Sequence, residues 1–238
     1  MNPIRLGDGI DGLYSLAPGS VSLVLSDLPS GETRAEFDRE ADLPKLWPAI
    51  WTALEPDGWA VILASSFDFA SKVRSSQGRR FRRDLIWSKS CATGFFNAKR
   101  TPLRAHEFIL LFSRSPGVYH PQMVDGASPI HTCRRAHHSE NYDSMRGSPQ
   151  TTESRTGATD RYPTSVLEFA SVGTSSKSRV HPQQKPVPLL RWLIRSYSDP
   201  GDLVADPYAG SGSTGIAAEI EGRAFVGWDT SPRFAGPR

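Results

Sequence analysis

The chain has 238 residues, 38% hydrophobic and 22% charged, with 28 Lys and Arg against 25 Asp and Glu for a formal net charge of +3. That length suits one catalytic domain with an insertion, and the apolar content is ordinary for a soluble globular protein. Two cysteines, Cys91 and Cys133, offer neither metal-ligand spacing nor a disulfide framework, and the longest apolar runs are strand-sized, so no metal site, signal peptide or membrane span is read and a reducing cytoplasm is the expected compartment.

The first turn signal is Leu6-Gly7-Asp8-Gly9. Val21 to Leu25 is then a short apolar run, expected to be a buried strand, that leads into Ser26-Asp27-Leu28-Pro29-Ser30. An acidic group is thereby placed at the carboxyl end of a strand, where open α/β sheets hold their chemistry. Leu43 to Leu54 has apolar residues at helical spacing and stops at Glu55-Pro56-Asp57-Gly58. Ala60 to Ala64, Leu85 to Trp87 and Phe108 to Phe112 are further strands by the same signals. From Ser113 to Arg179 the pattern dissolves into Ser, Thr, Gly, His and Arg, and so long an irregular stretch within an enzyme is functional or disordered.

A helix is expected from Pro188 to Tyr197, a strand from Leu203 to Ala205, and then the turn Asp206-Pro207-Tyr208-Ala209-Gly210-Ser211-Gly212-Ser213-Thr214-Gly215. A glycine-rich turn between strand and helix lets the backbone come close to a nucleotide-like ligand, and Asp229, after the strand Phe225 to Trp228, stands where ribose hydroxyls are gripped. A nicotinamide-binding domain begins with such a turn, whereas little chain follows it here. The other strands of the sheet must come from upstream, and strand-helix alternation implies a mostly parallel sheet covered on both faces.

Arginines cluster at Arg79, Arg80, Arg82 and Arg83, at Arg100 and Arg104, and at Arg134 and Arg135, and the sequence pI is about 9.0. Such clusters suit a polyanionic partner; solvated helix faces and loops are the alternative account. His131, His137 and His138 lack a Cys or carboxylate partner at ligand spacing, which favours a surface or phosphate-facing role over a metal site.

Taken together, Asp27-Leu28-Pro29-Ser30, the glycine turn, His181-Pro182-Gln183-Gln184-Lys185-Pro186 and Gly222 to Asp229 resemble, in order, the motifs of the β-class amino-methyltransferases of DNA. Arg161 to Leu167 and Tyr119 to Met123 are similar to stretches common in phage and prophage members. The resemblance covers nearly the whole chain. It implies an α/β, Rossmann-like methyltransferase fold in permuted order, the catalytic motif preceding the cofactor motif: a catalytic half at 1–112, a target-recognition insertion at 113–179 and a cofactor half at 180–238. It further implies S-adenosylmethionine as cofactor, double-stranded DNA with a flipped target base as substrate, a modification enzyme of the restriction-modification type, and room for a homodimer. Asp8, Gln184, Lys185, Pro186, Asp206, Tyr208, Gly210, Gly212, Ser213, Thr214 and Asp229 would bind the cofactor, with Asp206 on the methionine amine and Asp229 on the ribose. DNA would meet the arginine clusters.

The exocyclic amine of adenine or cytosine is a poor nucleophile because its lone pair is delocalised into the ring. Two acceptors aimed at the amine hydrogens favour a tetrahedral nitrogen. Asp27 offers a side chain for this and Leu28 its carbonyl, which any residue there would have. Asp27 as a helix cap or turn carboxylate is the structural alternative. Asp at the head of the motif is typical of adenine-N6 members and Ser of cytosine-N4 ones. Ser30 departs from the family, which places Tyr or Phe there to stack on the flipped base, a contact worth roughly 1–3 kcal/mol against a flipping cost of a few kcal/mol. Phe37, Phe95 and Phe96 are candidate substitutes. Three functions stay open: a DNA methyltransferase, on adenine N6 first and cytosine N4 second; a DNA-binding, catalytically weak subunit; and, from the glycine spacing alone, a nicotinamide-dependent oxidoreductase.

Overall fold

The computed structural model describes residues 4–32, 39–115, 117–126, 158–173 and 184–235. Eight strands make one sheet: β1 (Ile4–Leu6), β2 (Val21–Asp27), β3 (Leu54–Ala64), β4 (Phe81–Thr93), β5 (Arg104–Ser113), β8 (Val166–Phe169), β9 (Leu203–Asp206) and β10 (Ala224–Asp229), in the order β1-β10-β9-β2-β3-β5-β4-β8. Only β5 runs against its neighbours. Every strand expected from the apolar runs is present. Residues 55–58, read as a helix stop, are drawn into the start of β3, where the pairing with β2 shifts register between Val21 and Leu23.

Alternate residues of the buried strands face opposite layers, as a period of two requires. One face packs α1 (Gly9–Tyr14), α2 (Leu43–Ala53) and α3 (Phe67–Ser76) through Leu13, Trp47, Ile50, Phe69 and Val73. The other packs α4 (Val187–Tyr197) and α5 (Ser213–Ile220) through Leu189, Leu193, Ile194 and Ala217. α2 begins where Asp42 accepts from the Lys45 amide, and α3 where Ser66 accepts from that of Phe69, so each helix starts at a capped and fixed point.

By contacts, residues Met1–His120 and Thr164–Arg238 form one compact unit and Pro121–Pro163 another. The smaller unit shows a two-stranded pair, β6 (Val124–Asp125) with β7 (Asp160–Arg161). The irregular stretch from 113 to 179 therefore contains a main-sheet strand, β8, which is too short and too mixed to register as an apolar run: only Leu167 of its four residues is buried. Among the described residues no helix is long and apolar enough to cross a membrane.

Candidate active site

The parallel half of the sheet ends on a row of acids. Leu6 of β1 pairs with Asp229 of β10, and two residues past Leu6 the carboxylate of Asp8 caps α1, accepting from the amides of Ile10 (2.7 Å) and Asp11 (3.2 Å). Asp229 accepts from the Gly210 amide at 3.1 Å and from the Ser231 amide at 2.7 Å. Asp206, the last residue of β9, is buried; it accepts from Ser26 Oγ and Thr214 Oγ1, both at 2.7 Å, and from the Tyr208 amide at 3.0 Å. Burial pushes the Asp206 carboxyl up to about 6, against the pull of these hydrogen bonds.

Backbone geometry explains how the row closes. Gly210 (φ +46°) and Gly212 (φ +76°) take the left-handed conformation that side chains resist, which turns the chain from β9 into α5 and aims the Gly210 amide at Asp229. Gly9 lets α1 lie on the same turn, since a Cβ there would come within 1.9 Å of the Pro207 carbonyl oxygen.

Next to this row the chemistry changes. Asp27 ends β2, and its Oδ2 lies 2.7 Å from Lys185 Nζ, which is also 3.2 Å from Glu107 Oε2 on β5. Glu107 Oε1 in turn lies 3.2 Å from Lys89 Nζ on β4. Two acids and two lysines thus alternate through the interior in a line with no net charge. Burial alone would pull the Lys185 ammonium down, but the charges of Asp27 and Glu107 win and push it up to about 12.

Beyond Asp27 the strand runs into a loop in which the buried Leu28 is followed by Pro29, whose carbonyl accepts from the Ala41 amide at 3.0 Å. Ser30 Oγ accepts from Ser65 Oγ at 3.3 Å, just past the end of β3. Glu32 bonds Ser65 and Ser66 and lies 3.6 Å from Arg104. Here a cavity of about 250 Å³ is lined by Ser65, Ser66, Phe67, Arg104, His106 and Phe108. Phe67 is largely exposed, its ring 6.0 Å from that of Phe108, with His106 edge-on to Phe108 at 5.3 Å. An exposed aromatic ring, Phe67, thus lines the same cavity as Ser65, the hydrogen-bond partner of Ser30.

Residues 40–235 match the family model described as DNA methylase, the N6/N4 class. The chain belongs to that family. It is 27% identical over 250 residues to the Type II methyltransferase M1.MboII of Moraxella bovis, covering 98% of this chain and 94% of that protein. A shorter match, 46% over 54 residues, links it to the DNA adenine methyltransferase YhdJ of Escherichia coli strain K12, with 23% of this chain and 18% of that one covered. Its fold is that of the crystal structure of an M1.HpyAVI–SAM complex, with a TM-score of 0.62 at 20% identity over 98% of this chain and 95% of the other.

The structure of this methylase collects the expected site residues unevenly. Asp8, Asp206, Tyr208, Gly210, Gly212, Ser213, Thr214 and Asp229 come together at the carboxyl edge of β1, β10 and β9. Thr214 serves Asp206 with its hydroxyl, and Ser213 shares a 2.8 Å hydrogen bond with Ser211. Pro186 opens α4, accepting from the amides of Leu189 and Leu190, and next to it Lys185 is turned to Asp27. His181 to Gln183, Phe37, Arg134, Arg135, His131, His137 and His138 lie outside the described residues.

The arginines separate. β4 runs in the same sense as β3, so Arg79 to Arg83 sit at the amino edge of the sheet, opposite the edge that holds Asp27. Two of them close that edge: Arg80 stacks over Trp51 at 4.6 Å, and Arg82 donates to the carbonyls of Ser113 and Arg114. Arg100 and Arg104, by contrast, lie at the carboxyl end of β4 and the start of β5, on the Asp27 side.

Glu107 and Lys89 escaped notice in the sequence, although a signal was there. Glu107 alternates with Ile109 and Leu111, and Lys89 with Leu85 and Trp87, so strand periodicity places both charges on a buried face, where charges need partners.

Proposed function

We propose that this methylase moves a methyl group from S-adenosylmethionine to the N6 amine of adenine within a specific sequence of double-stranded DNA. The observation that carries this reading is Asp27, a partly open carboxylate at the end of β2, held by a buried lysine beside a row of acids that has none. Adenine is favoured by the acid at the head of the motif and by the short match to a protein named an adenine methyltransferase.

The acids suit the cofactor. S-adenosylmethionine brings a methyl group on a positively charged sulfonium and carries an ammonium besides. Asp8, Asp206 and Asp229 form no ion pair with a Lys or Arg among the described residues, Lys45 acting on Asp8 only at a distance, so this edge can receive cations. A carboxylate accepts up to about four hydrogen bonds, so Asp229 can take ribose hydroxyls while keeping its two amides. Asp206 would take the ammonium, Asp8 would border the adenine, and Tyr208, Ser213, Thr214 and the Gly210–Gly212 backbone would line the turn, with Gln184, Lys185 and Pro186 as the wall toward Asp27.

Asp27 and the Leu28 carbonyl accept the two amine hydrogens of the target, which draws the nitrogen lone pair out of the ring and toward the methyl group. S-adenosylmethionine, when bound, would supply the methyl group, its sulfur keeping the electron pair of the S–C bond that breaks as the N–C bond forms. The nitrogen then carries one proton too many, and Asp27 is the acceptor beside it. Lys185 holds the carboxylate through Oδ2 and so fixes the direction in which Asp27 faces the amine.

Ser30 favours a second reading, a DNA-binding subunit that binds cofactor and transfers little. The exposed rings of Phe67 and His106, which line one cavity with the Ser65 that bonds Ser30, support the enzyme instead, because they offer the stacking that serine lacks. Of the arginines, Arg100 and Arg104 are assigned to DNA. A cytoplasmic enzyme, alone or as a homodimer, is the expected form.

Sequencing that detects modified bases, on genomic DNA from cells expressing the chain, tests the proposal. N6-methyladenine at one recurring motif is expected. N4-methylcytosine at a motif would assign the alternative base, and unmodified DNA from cells whose protein binds S-adenosylmethionine would establish the weak subunit.

A further inference from the structure

Strands β4 and β5 do not stop at the catalytic edge. Beyond the pair Ser88–His106 the ladder shifts register, β4 bulging against β5, and closes on one further pair, Thr93–Arg104, which carries the hairpin roughly 10 Å past the row of Lys89 and Glu107 at strand rise. Its tip is ordered by its own backbone. Gly94 (φ +89°) turns the chain into a 3-10 turn, Phe95–Asn97, and the amides of Asn97, Ala98, Arg100 and Thr101 all donate to carbonyls within the tip. On this rigid turn Phe95 is 80% exposed and Phe96 fully so. Two adjacent phenylalanines stand in water on this turn and bury little against the described residues.

The surrounding charge says what they meet. Residues 89 to 104 contain Lys89, Lys99, Arg100 and Arg104 and no acid; Lys89 is paired with Glu107 and Arg104 lies 3.6 Å from Glu32, so Lys99 and Arg100 give the tip its net positive charge. A second copy of the same tip would be repelled, whereas phosphates would be attracted. A two-stranded ribbon also fits the major groove of B-DNA, which is about 12 Å wide and 8.5 Å deep. We infer that the tip is a wedge for duplex DNA: Lys99, Arg100 and Arg104 hold phosphates beside the target, and Phe95 and Phe96 stack on the bases left exposed when the target base leaves the helix. Apolar side chains inserted between base steps work in this way in proteins that distort DNA. This inference rests on the reading of the chain as a base-flipping methylase.

Its distinguishing consequence is that the rings matter only where a stack must be opened. The full chain and the double variant Phe95→Ala/Phe96→Ala are to be compared for transfer of labelled methyl from S-adenosylmethionine to unmethylated genomic DNA, native and heat-denatured. The variant should lose about 10- to 100-fold in kcat/KM on duplex DNA, the range of one to two stacked bases, and about twofold or less on denatured DNA. Its melting temperature and cofactor affinity should not change, since neither ring is packed. Arg100→Ala should weaken binding to both DNA forms and flatten its salt dependence. Equal losses on duplex and denatured DNA, or none on either, would overturn the wedge, as would a dimer in the native chain that the Phe variant dissociates. A native chain that methylates neither form refutes the functional reading itself.

Discussion

The two halves of the carboxyl edge handle acids in opposite ways. In the half formed by β1, β10 and β9, Asp8, Asp229 and Asp206 are satisfied by backbone amides and hydroxyls, which are neutral donors. In the half formed by β2, β5 and β4, Asp27 and Glu107 are paired instead with the charges of Lys185 and Lys89. Neutral donors orient a carboxylate and leave its charge in place, so the first half stays negative and suits a cationic cofactor. Lysines cancel the charge, so the second half is neutral and suits an uncharged base. One sheet edge thus holds two adjoining sites of different electrostatic character, and the difference comes from what lies beside each acid.

Exchanging the defects between the halves breaks the comparison most sharply. Asp27→Ala should lower kcat by about a thousandfold, as loss of a group acting on the transferring atoms does, while leaving the affinity for S-adenosylmethionine within about twofold. Asp229→Ala should do the converse, weakening cofactor binding about 10- to 100-fold through lost charge-assisted hydrogen bonds, with kcat at saturating cofactor much less changed. Calorimetry and single-turnover rates separate the two. If both variants lose affinity and melting temperature together, the edge is one structural network and the division into halves fails.

A smaller effect is expected one step behind Asp27. Glu107→Gln leaves Lys89 and Lys185 facing a single carboxylate, so Lys185 is less firmly held and Asp27 less well aimed. A kcat lowered about tenfold is expected, together with a loss of stability of order 3 kcal/mol from the uncompensated buried charge. The double variant Glu107→Gln/Lys89→Met restores neutrality and should recover much of that stability. Failure to recover would show that the two lysines act independently and not as one line of charge with the acids.

Much of this was legible before the fold was known, and the limits have physical causes. Apolar runs located the main strands because burial on both faces leaves a short, uninterrupted signal, and the glycine turn and Asp27 stood out because turn chemistry is local. The partner of Asp27 was not local: Lys185 lies 158 positions away in sequence, and nothing short of the sheet order brings the two together. The arginine clusters could not be told apart for the same reason. Arg79 to Arg83 and Arg100 to Arg104 look alike as text, but strand β4 carries the first group to the amino edge and the second to the catalytic edge. Phe95 and Phe96 were legible as aromatics and illegible as exposed ones, because exposure depends on the ribbon that lifts them.

The last effect concerns Asp206 and tests whether the first half truly awaits a cation. Its carboxyl sits at about 6 in the folded chain against 3.8 for an ordinary aspartate, because burial disfavours the charge. Between pH 4 and 6 the unfolded chain therefore releases this proton while the folded chain keeps it. The stabilisation from this group is complete below pH 4 and is lost as pH rises through 6, a change of roughly 3 kcal/mol for two pK units. Stability of the native chain relative to Asp206→Asn, measured by denaturant titration, should fall by about that amount from pH 4 to 6 and then level off. An ammonium placed beside Asp206 reverses the preference by favouring the carboxylate. Cofactor binding at pH 5 should accordingly release a proton, and affinity should rise toward pH 6, in the native chain and not in Asp206→Asn. Proton-neutral binding in both would make Asp206 a strut between Ser26 and Thr214, and would leave Asp229 to carry the cofactor half.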